Sequence, residues 1–303
     1  MTAVSVCIIT FNHEAYIAEA VESALRQKTS FEFEVVVGDD ASTDATPRIL
    51  AELAKRDPRL RVLRRANNLG ITRNLAETMQ ECRGNYIALL EGDDFWTDDE
   101  KLQLQHDFLQ SHPDHAICFH RVTAQRDGSA VRQIPPGRMR ERSTLKDLIE
   151  YGNFIATASV MLRNRVADGF PEWFYELKIG DLPLLILNAR HGDIGFIDRT
   201  MAVYRVHPGG AFSSIPNAAR VREAVRTLSY LNEFLDRKFE RTIAGLQSYW
   251  HAVESFNNGD ERAARKFARV RFAAPPTNQQ RLMAGLMAFA PPLYRFVRSR
   301  FSS

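Results

Sequence analysis

The sequence predicts an α/β protein: a doubly wound, mainly parallel central sheet with a C-terminal helical extension. Three observations predict it. Strand and helix patterns alternate from residue 4 to about residue 112, the signature of a sheet covered by helices on both faces. Two acidic clusters, Asp39–Asp40 and Glu91-Gly92-Asp93-Asp94, each close an apolar run. From about residue 215 onward the pattern is helical only.

"VSVCIIT", Val4 to Thr10, is short and β-branched and predicts a first strand. Asn12 is placed to cap the next helix, where Ala15, Ala18, Val21 and Leu25 share a face. "FEVVVGDD" is a second strand. "TDATPRILAELAKRD" is a second helix, capped by Asp44 or Thr46 with Pro47 in its first turn. "RLRVLRR" reads as a third strand and "NNLGITRNLAETMQEC" as a turn and third helix. "NYIALLEGDD" is a fourth strand and "DDEKLQLQHDFLQSH" a fourth helix. Beyond residue 115, "AICFHRVTA" and "ATASVMLRN" predict strands, with the polar "RDGSAVRQIPPGRMRERS" between them as a loop or lid. "DLPLLILNARHG" predicts a helix and "IGFIDRTMAVYRVH" one or two strands. The expected division is an α/β domain over 1–212 and a helical region over 213–303.

Three scattered cysteines among 303 residues, with no CxxC pair, indicate neither a zinc site nor a disulfide framework and suit a reducing compartment. The N-terminus has no basic n-region, so no secretory signal is expected, and no apolar run reaches spanning length. The net charge of +3 is uneven. Residues 261–303 hold nine Lys or Arg against Glu261 alone, an excess of +8 that leaves −5 elsewhere.

In an open parallel sheet, ligands bind at the carboxyl ends of the strands, and both acidic clusters fall on that edge. Clustered carboxylates repel and are costly to desolvate, and a divalent cation with a phosphorylated ligand relieves both costs. A lone Asp-Asp is ordinarily a turn or cap, the reading given to Asp98–Asp99. A receiver domain also gathers acids at strand ends but is too short for this chain. The sequence lacks GxGxxG after the first strand, a P-loop and a Gly-x-Ser-x-Gly elbow.

The segments "VSVCIITFNHEAYIAEAVESALRQ", "FEVVVGDDASTDAT", "NNLGITRNLAETM" and "GNYIALLEGDDFW" together resemble family 2 glycosyltransferases of the GT-A fold. The likeness is strong over residues 4–96 and continues more weakly to about residue 210 through "IGDLPLL" and "YRVH". It implies an inverting, metal-dependent transferase. The donor would be a nucleotide-diphosphate sugar, in the first instance a UDP-sugar, and the acceptor a hydroxyl of a glycan or lipid-linked molecule in surface polysaccharide synthesis. By the same resemblance, Asp40 would bind the nucleobase and Thr10 and Phe11 line its pocket. Asp94 would hold Mn²⁺ or Mg²⁺, Asp93 the ribose or the metal, and Asp181 would be the catalytic base. His207 stands where some members place a metal ligand or diphosphate contact. Gly180 replaces the Glu that many members carry before the base.

The residues leave alternatives at several of these positions. Asp181 also fits a helix N-cap, and His207, before Pro-Gly, a loop histidine. Arg73 and Asn74 fit the donor site or a solvated helix. Phe95, Trp96 and Trp173 fit a sugar platform or the core. A nucleotidylyltransferase would need a Gly-rich basic loop after the first strand, which "TFNHEAY" does not supply. A non-catalytic nucleotide-sugar binder would be expected to lack Asp94 or Asp181.

The tail alternates basic and apolar residues, with Leu282, Met283, Leu286, Met287 and Phe289 on much of one helical face, then Pro291 and Pro292. Tyr294, Phe296 and Phe301 follow beside Arg295, Arg298 and Arg300. Its expected partner is an anionic membrane surface, the alternative being packing on protein, and its apolar content argues against nucleic acid. The expected location is cytoplasmic, peripheral at the inner membrane.

Overall fold

A computed structural model of the chain describes residues 2–207, 209–210, 217–274 and 279–301. The chain forms two compact units, residues 1–148 with 153–214, and residues 149–152 with 215–303. The first unit opens with β1 (Val4–Thr10), α1 (Ile17–Leu25), β2 (Phe33–Asp39), α2 (Thr46–Arg56), β3 (Leu60–Arg64), α3 (Ile71–Gln80) and β4 (Tyr86–Glu91). It continues with β5 (Phe95–Trp96), α4 (Lys101–Ser111), β6 (His115–Arg126), β7 (Ser129–Ile134), β8 (Arg142–Ser143) and α5 (Leu145–Tyr151). Next come β9 (Met161–Arg163), α6 (Glu172–Tyr175), α7 (Asp181–Ala189) and β10 (Asp193–Arg205). The second unit holds α8 (Asn217–Phe234), α9 (Glu240–Asn257), α10 (Glu261–Ala273), α11 (Gln279–Phe289) and α12 (Pro291–Phe301). No described helix is long and apolar enough to cross a membrane.

The sheet order is β3-β2-β1-β4-β9-β6-β10-β5, with β7 on β6 and β8 on β10. Strands β1 to β4 are mutually parallel, and β6 and β10 run parallel to each other. Strand β9 pairs antiparallel with both β4 and β6. Val4, Val6, Ile8, Val35, Val37, Ala88 and Leu90 are buried in one core with Ile17 and Val21 of α1. Burial on both faces explains why β1, β2 and β4 read as continuous apolar runs rather than alternating ones. The register pairs Thr10 with Asp39 and Ile9 with Glu91, so the three strand ends share one edge.

Four local expectations change. Asn12 does not cap α1; the helix starts after Tyr16, and Asn12, at φ +54°, accepts a hydrogen bond from the Thr43 amide. Thr46 is already helical, and Asp44 accepts from its amide (2.9 Å), one position before the Ala45 N-cap. The expected lid contains β7, because Asp127 and Gly128, both at positive φ, make a tight hairpin turn back from β6. "ATASVMLRN" is a 3₁₀ turn at Thr157–Ser159 followed by the short β9. The carbonyls of Ala158 and Ser159 accept instead from Trp96 Nε1 (2.9 Å) and Gln105 Nε2 (2.8 Å). Trp96 is thus a core residue.

Trp96 also carries Lys101, whose Nζ lies 3.8 Å from the ring centroid. Lys101 is fully buried and its ammonium has no hydrogen-bond partner among the described residues. Burial lowers its pKa from 10.5 to about 7. The unfolded chain binds this proton more tightly, so the contribution to stability is complete above 10.5 and is lost as pH falls toward 7. Lys101→Met should therefore raise the melting temperature at pH 7, with a gain that shrinks toward pH 10; thermal denaturation at the two pH values checks this.

Candidate active site

The site begins at a steric constraint. A Cβ on Gly92 would stand 2.6 Å from Thr10 Oγ1 and 2.9 Å from His13 Nδ1. Only hydrogen fits, which is why glycine separates Glu91 from Asp93. The Gly92 amide donates to the Ile9 carbonyl (2.9 Å) and the Asp94 amide to that of Glu91 (3.1 Å), a tight turn that sets the acids across the end of β1.

Asp93 meets two imidazoles. Its Oδ2 lies 3.0 Å from His207 Nε2 and 3.8 Å from His13 Nε2. Tyr16 packs on His207, with ring centroids 4.9 Å apart. Arg205, at the end of β10, ties the turn down. Its backbone amide donates to Asp94 Oδ1 (2.8 Å), and its guanidinium donates to the Asp93 carbonyl (2.7 Å) and pairs with Glu19. Asp94 is fully buried, and its Oδ2 has no partner among the described residues. Burial, then the charges of Asp93 and Glu91, push its carboxyl well above the usual range. Burial likewise lowers the pKa of His13.

Glu91 is pushed up to about 8 by burial, then by the charges of Asp93 and Asp181. Asp181 is half-buried and follows Gly180, the N-cap of α7, so it is not itself the cap. Asn153 Nδ2 donates to its Oδ2 (2.6 Å). Burial raises its pKa, while the Leu182 amide and Asn153 favour the ionised form. A Cβ on Gly180 would stand 2.7 Å from Thr72 Cγ2, so a larger side chain such as Glu has no room here.

Asp40 lies on the same edge, but both its oxygens are engaged. Oδ1 accepts from the Leu69 amide (2.7 Å) and Oδ2 from that of Gly70 (2.9 Å), which shapes the entry to α3. Burial raises its pKa against these two bonds. Thr10 is buried and its hydroxyl has no partner among the described residues, whereas Phe11 is exposed. Arg73 stands apart from the acids: its side chain is 56% exposed and pairs with Glu77. Asn74 is buried and donates to the Gly38 carbonyl (2.9 Å), which excludes the solvated reading.

Comparison with known proteins bears on this arrangement. The sequence model described as "Glycosyl transferase family 2" matches residues 5–169, more than half of the chain. The chain belongs to glycosyltransferase family 2. The uncharacterised protein Rv1520 of Mycobacterium tuberculosis is 40% identical over 216 residues, which are 69% of this chain and 60% of that protein. The chain thus spans less than two thirds of such a relative. Staphylococcus aureus TarS, residues 1–349 with UDP-GlcNAc, superposes with a TM-score of 0.61 at 22% identity, covering 98% of this chain and 88% of TarS. The mannosyltransferase PcManGT of Pyrobaculum calidifontis, solved with GDP-Man and Mn²⁺, gives 0.58 at 16% identity, covering 98% and 83%. These likenesses show the fold, a GT-A sheet with C-terminal helices.

Of the family positions predicted from sequence, the structure gathers Thr10, Asp40, Asp93, Asp94 and His207 at one edge, while Asp181 begins α7, held by Asn153. Arg205, His13, Asn153 and Tyr16 belong with them and were not singled out from sequence. Arg205 and His13 sit inside the quoted segments "YRVH" and "TFNHEAY", but nothing in spacing shows that both converge on Asp93.

Glu91 generates a pH dependence. Its folded pKa of about 8 exceeds the ordinary 4.5, so the native state holds a proton that the unfolded chain releases. Stability from this group is complete below 4.5 and is lost as pH rises to about 8. The protein in chelator should melt at lower temperature at pH 8 than at pH 5.5, and Glu91→Gln should flatten that slope; calorimetric melting across the range is the measurement.

Proposed function

We propose that this chain is an inverting, metal-dependent glycosyltransferase that moves a sugar from a nucleotide-diphosphate sugar, a UDP-sugar in the first instance, to an acceptor hydroxyl. The observation that carries the reading is the unpartnered, buried Asp94 Oδ2, in the same turn as Asp93, which His207 contacts. The donor class is supported by the neighbours solved with UDP-GlcNAc and GDP-Man, and the metal by the one solved with Mn²⁺.

The residues fit a divalent ion. Among the described residues no three His, Cys, Asp or Glu converge as a complete ligand set. That suits an ion which takes its remaining ligands from a diphosphate, as Mg²⁺ and Mn²⁺ do. Asp94 and His207 would hold it, with Asp93 on the donor's ribose, and it would neutralise charge on the leaving diphosphate. His13 and Arg205 orient Asp93 and Asp94, so the acids need no reorganisation when the donor arrives. Thr10 and Phe11 flank the base site, and Asp40 holds the 68–70 turn beside it while keeping lone pairs for a base N–H. Arg73, more peripheral, would reach the donor from α3.

Asp181 takes the acceptor proton as the hydroxyl attacks from the face opposite the leaving group, which inverts the anomeric carbon. The N-terminus of α7 and the Asn153 amide hold its carboxylate ionised and aimed. The raised pKa that burial gives it brings a weak base closer to working pH.

Two substitutions test the assignments. Asp94→Asn keeps the oxygen that accepts from Arg205 and so should fold, yet it should abolish the Mn²⁺-dependent part of UDP binding by calorimetry. Unchanged affinity would remove the metal assignment. Asp181→Asn should leave donor binding near wild type and lower transfer by roughly 10²–10⁴-fold. Turnover close to wild type with a defined acceptor would place the base elsewhere. A thermal-shift screen of nucleotide sugars with Mn²⁺ identifies the donor.

A further inference from the structure

The helical unit divides its apolar and basic residues unequally between inside and outside. Ala264 and Ala268 of α10 pack with Ala252 of α9, Ala284, Met287 and Ala288 of α11, and Tyr294 of α12. Met283 and Leu286 pack against the same cluster. Much of the apolar face expected to meet lipid is therefore spent inside the unit. Leu282 and Phe289 are not: they are 64% and 62% exposed.

Outside lies a second, mixed surface. Arg262, Arg265, Lys266 and Arg269 recur at three- and four-residue spacing on the exposed face of α10. With Asp260 and Ala263 they line an open depression of about 570 Å³. Arg265 reaches Glu261 at 3.8 Å, but no carboxylate among the described residues pairs with Arg262, Lys266 or Arg269. At the end of this row two exposed rings meet. Phe272 and Phe289 pack edge to face with centroids 5.4 Å apart. Arg269 lies 5.8 Å from the Phe289 ring centroid and Arg281 5.4 Å from that of Phe272. Phe272 lies across Gly285, where a Cβ would stand 3.0 Å from its ring, so the glycine makes room for the pair. Of the nine exposed large apolar side chains among the described residues, five fall between Val270 and Leu293.

An exposed aromatic pair flanked by guanidiniums, continuous with a row of cations, is costly to leave in water and complements one kind of surface: apolar a few ångström in, anionic at the boundary. We propose that the helical unit docks on anionic lipid bilayers, with Phe272 and Phe289 at the acyl boundary and Arg262, Lys266 and Arg269 on headgroup phosphates. Charge selects the partner, since an ordinary protein interface core is depleted in charged residues whereas this one would carry five, Arg262, Arg265, Lys266, Arg269 and Arg281. The proposal is independent of the transfer reaction, because none of these residues lies in the first unit.

Sedimentation of the full chain with vesicles tests it. The protein should pellet with phosphatidylcholine vesicles containing phosphatidylglycerol and not with pure phosphatidylcholine, and salt should weaken binding. Reversing Arg262, Lys266 and Arg269 to Glu should lower partitioning on the order of a hundredfold or more. Phe289→Ser should weaken it without changing the circular dichroism spectrum. Both sites are exposed, so folding is not at risk, and UDP binding serves as a second check of integrity. No pelleting of the wild type at low salt would overturn the proposal, as would wild-type binding by either variant. A concentration-dependent dimer, lost in Phe289→Ser and seen without vesicle binding, would overturn it by assigning the surface to a second copy.

Discussion

The arrangement of the first unit depends on how closely β4 can deliver its acids to β1. Glu91, Asp93 and Asp94 arrive within four residues at the end of a buried strand, Asp94 fully buried and the other two partly so. Two of them are accordingly pushed upward in pKa, and the third lies against two imidazoles. The turn that holds them exists only because Gly92 has no side chain to strike Thr10 and His13. Their repulsion is a standing cost of the native state, which a cation brought by a diphosphate, as proposed above, would relieve. On that proposal, apo stability and ligand binding would be coupled through the same charges.

Rigidity around the acids comes from distant parts of the chain. Arg205, at the far end of β10, bonds Asp94 and Asp93 through its amide and guanidinium and lies 4.3 Å from the Phe95 ring centroid. His207 follows two residues later. The placement of the site therefore requires the return of β10 beside β6 and β5, which β9 makes possible by pairing antiparallel with both β4 and β6. Asp181 is held separately, on α7, by Asn153. Groups that would hold the donor and the group that would take the acceptor proton thus stand on different supports.

The helical unit shows another economy. Its inner contacts rely on alanine, with Ala252, Ala264, Ala268, Ala284 and Ala288 allowing close helix approach. Small residues line the inside, while Arg262, Arg265, Lys266 and Arg269 of α10 are exposed and Phe267 and Arg271 turn inward. Hydropathy pattern in this tail reports two surfaces at once, one internal and one external.

The sequence by itself determined the alternation of strands and helices through residue 112, the edge on which Asp40, Asp93 and Asp94 emerge, and the family. These follow from local rules: β-branched runs, amphipathic helices, and the direction in which a parallel strand ends. It also marked Asp181 as a helix start, because glycine, aspartate and an apolar run are a local signal. What only the tertiary structure decided are the long-range meetings. His13 and His207 are 194 residues apart in the chain and share one carboxylate oxygen. Arg205 reaches Asp94 across 111 residues. Asn12 and the lid segment were misread because local signals there were overridden: Asn12 found a better partner in Thr43, and Asp127-Gly128 turned a polar stretch into a hairpin. The tail's exposed aromatic pair was hidden for the same reason. Periodicity says which residues share a face of one helix, but only the packing of neighbouring helices says which face is covered.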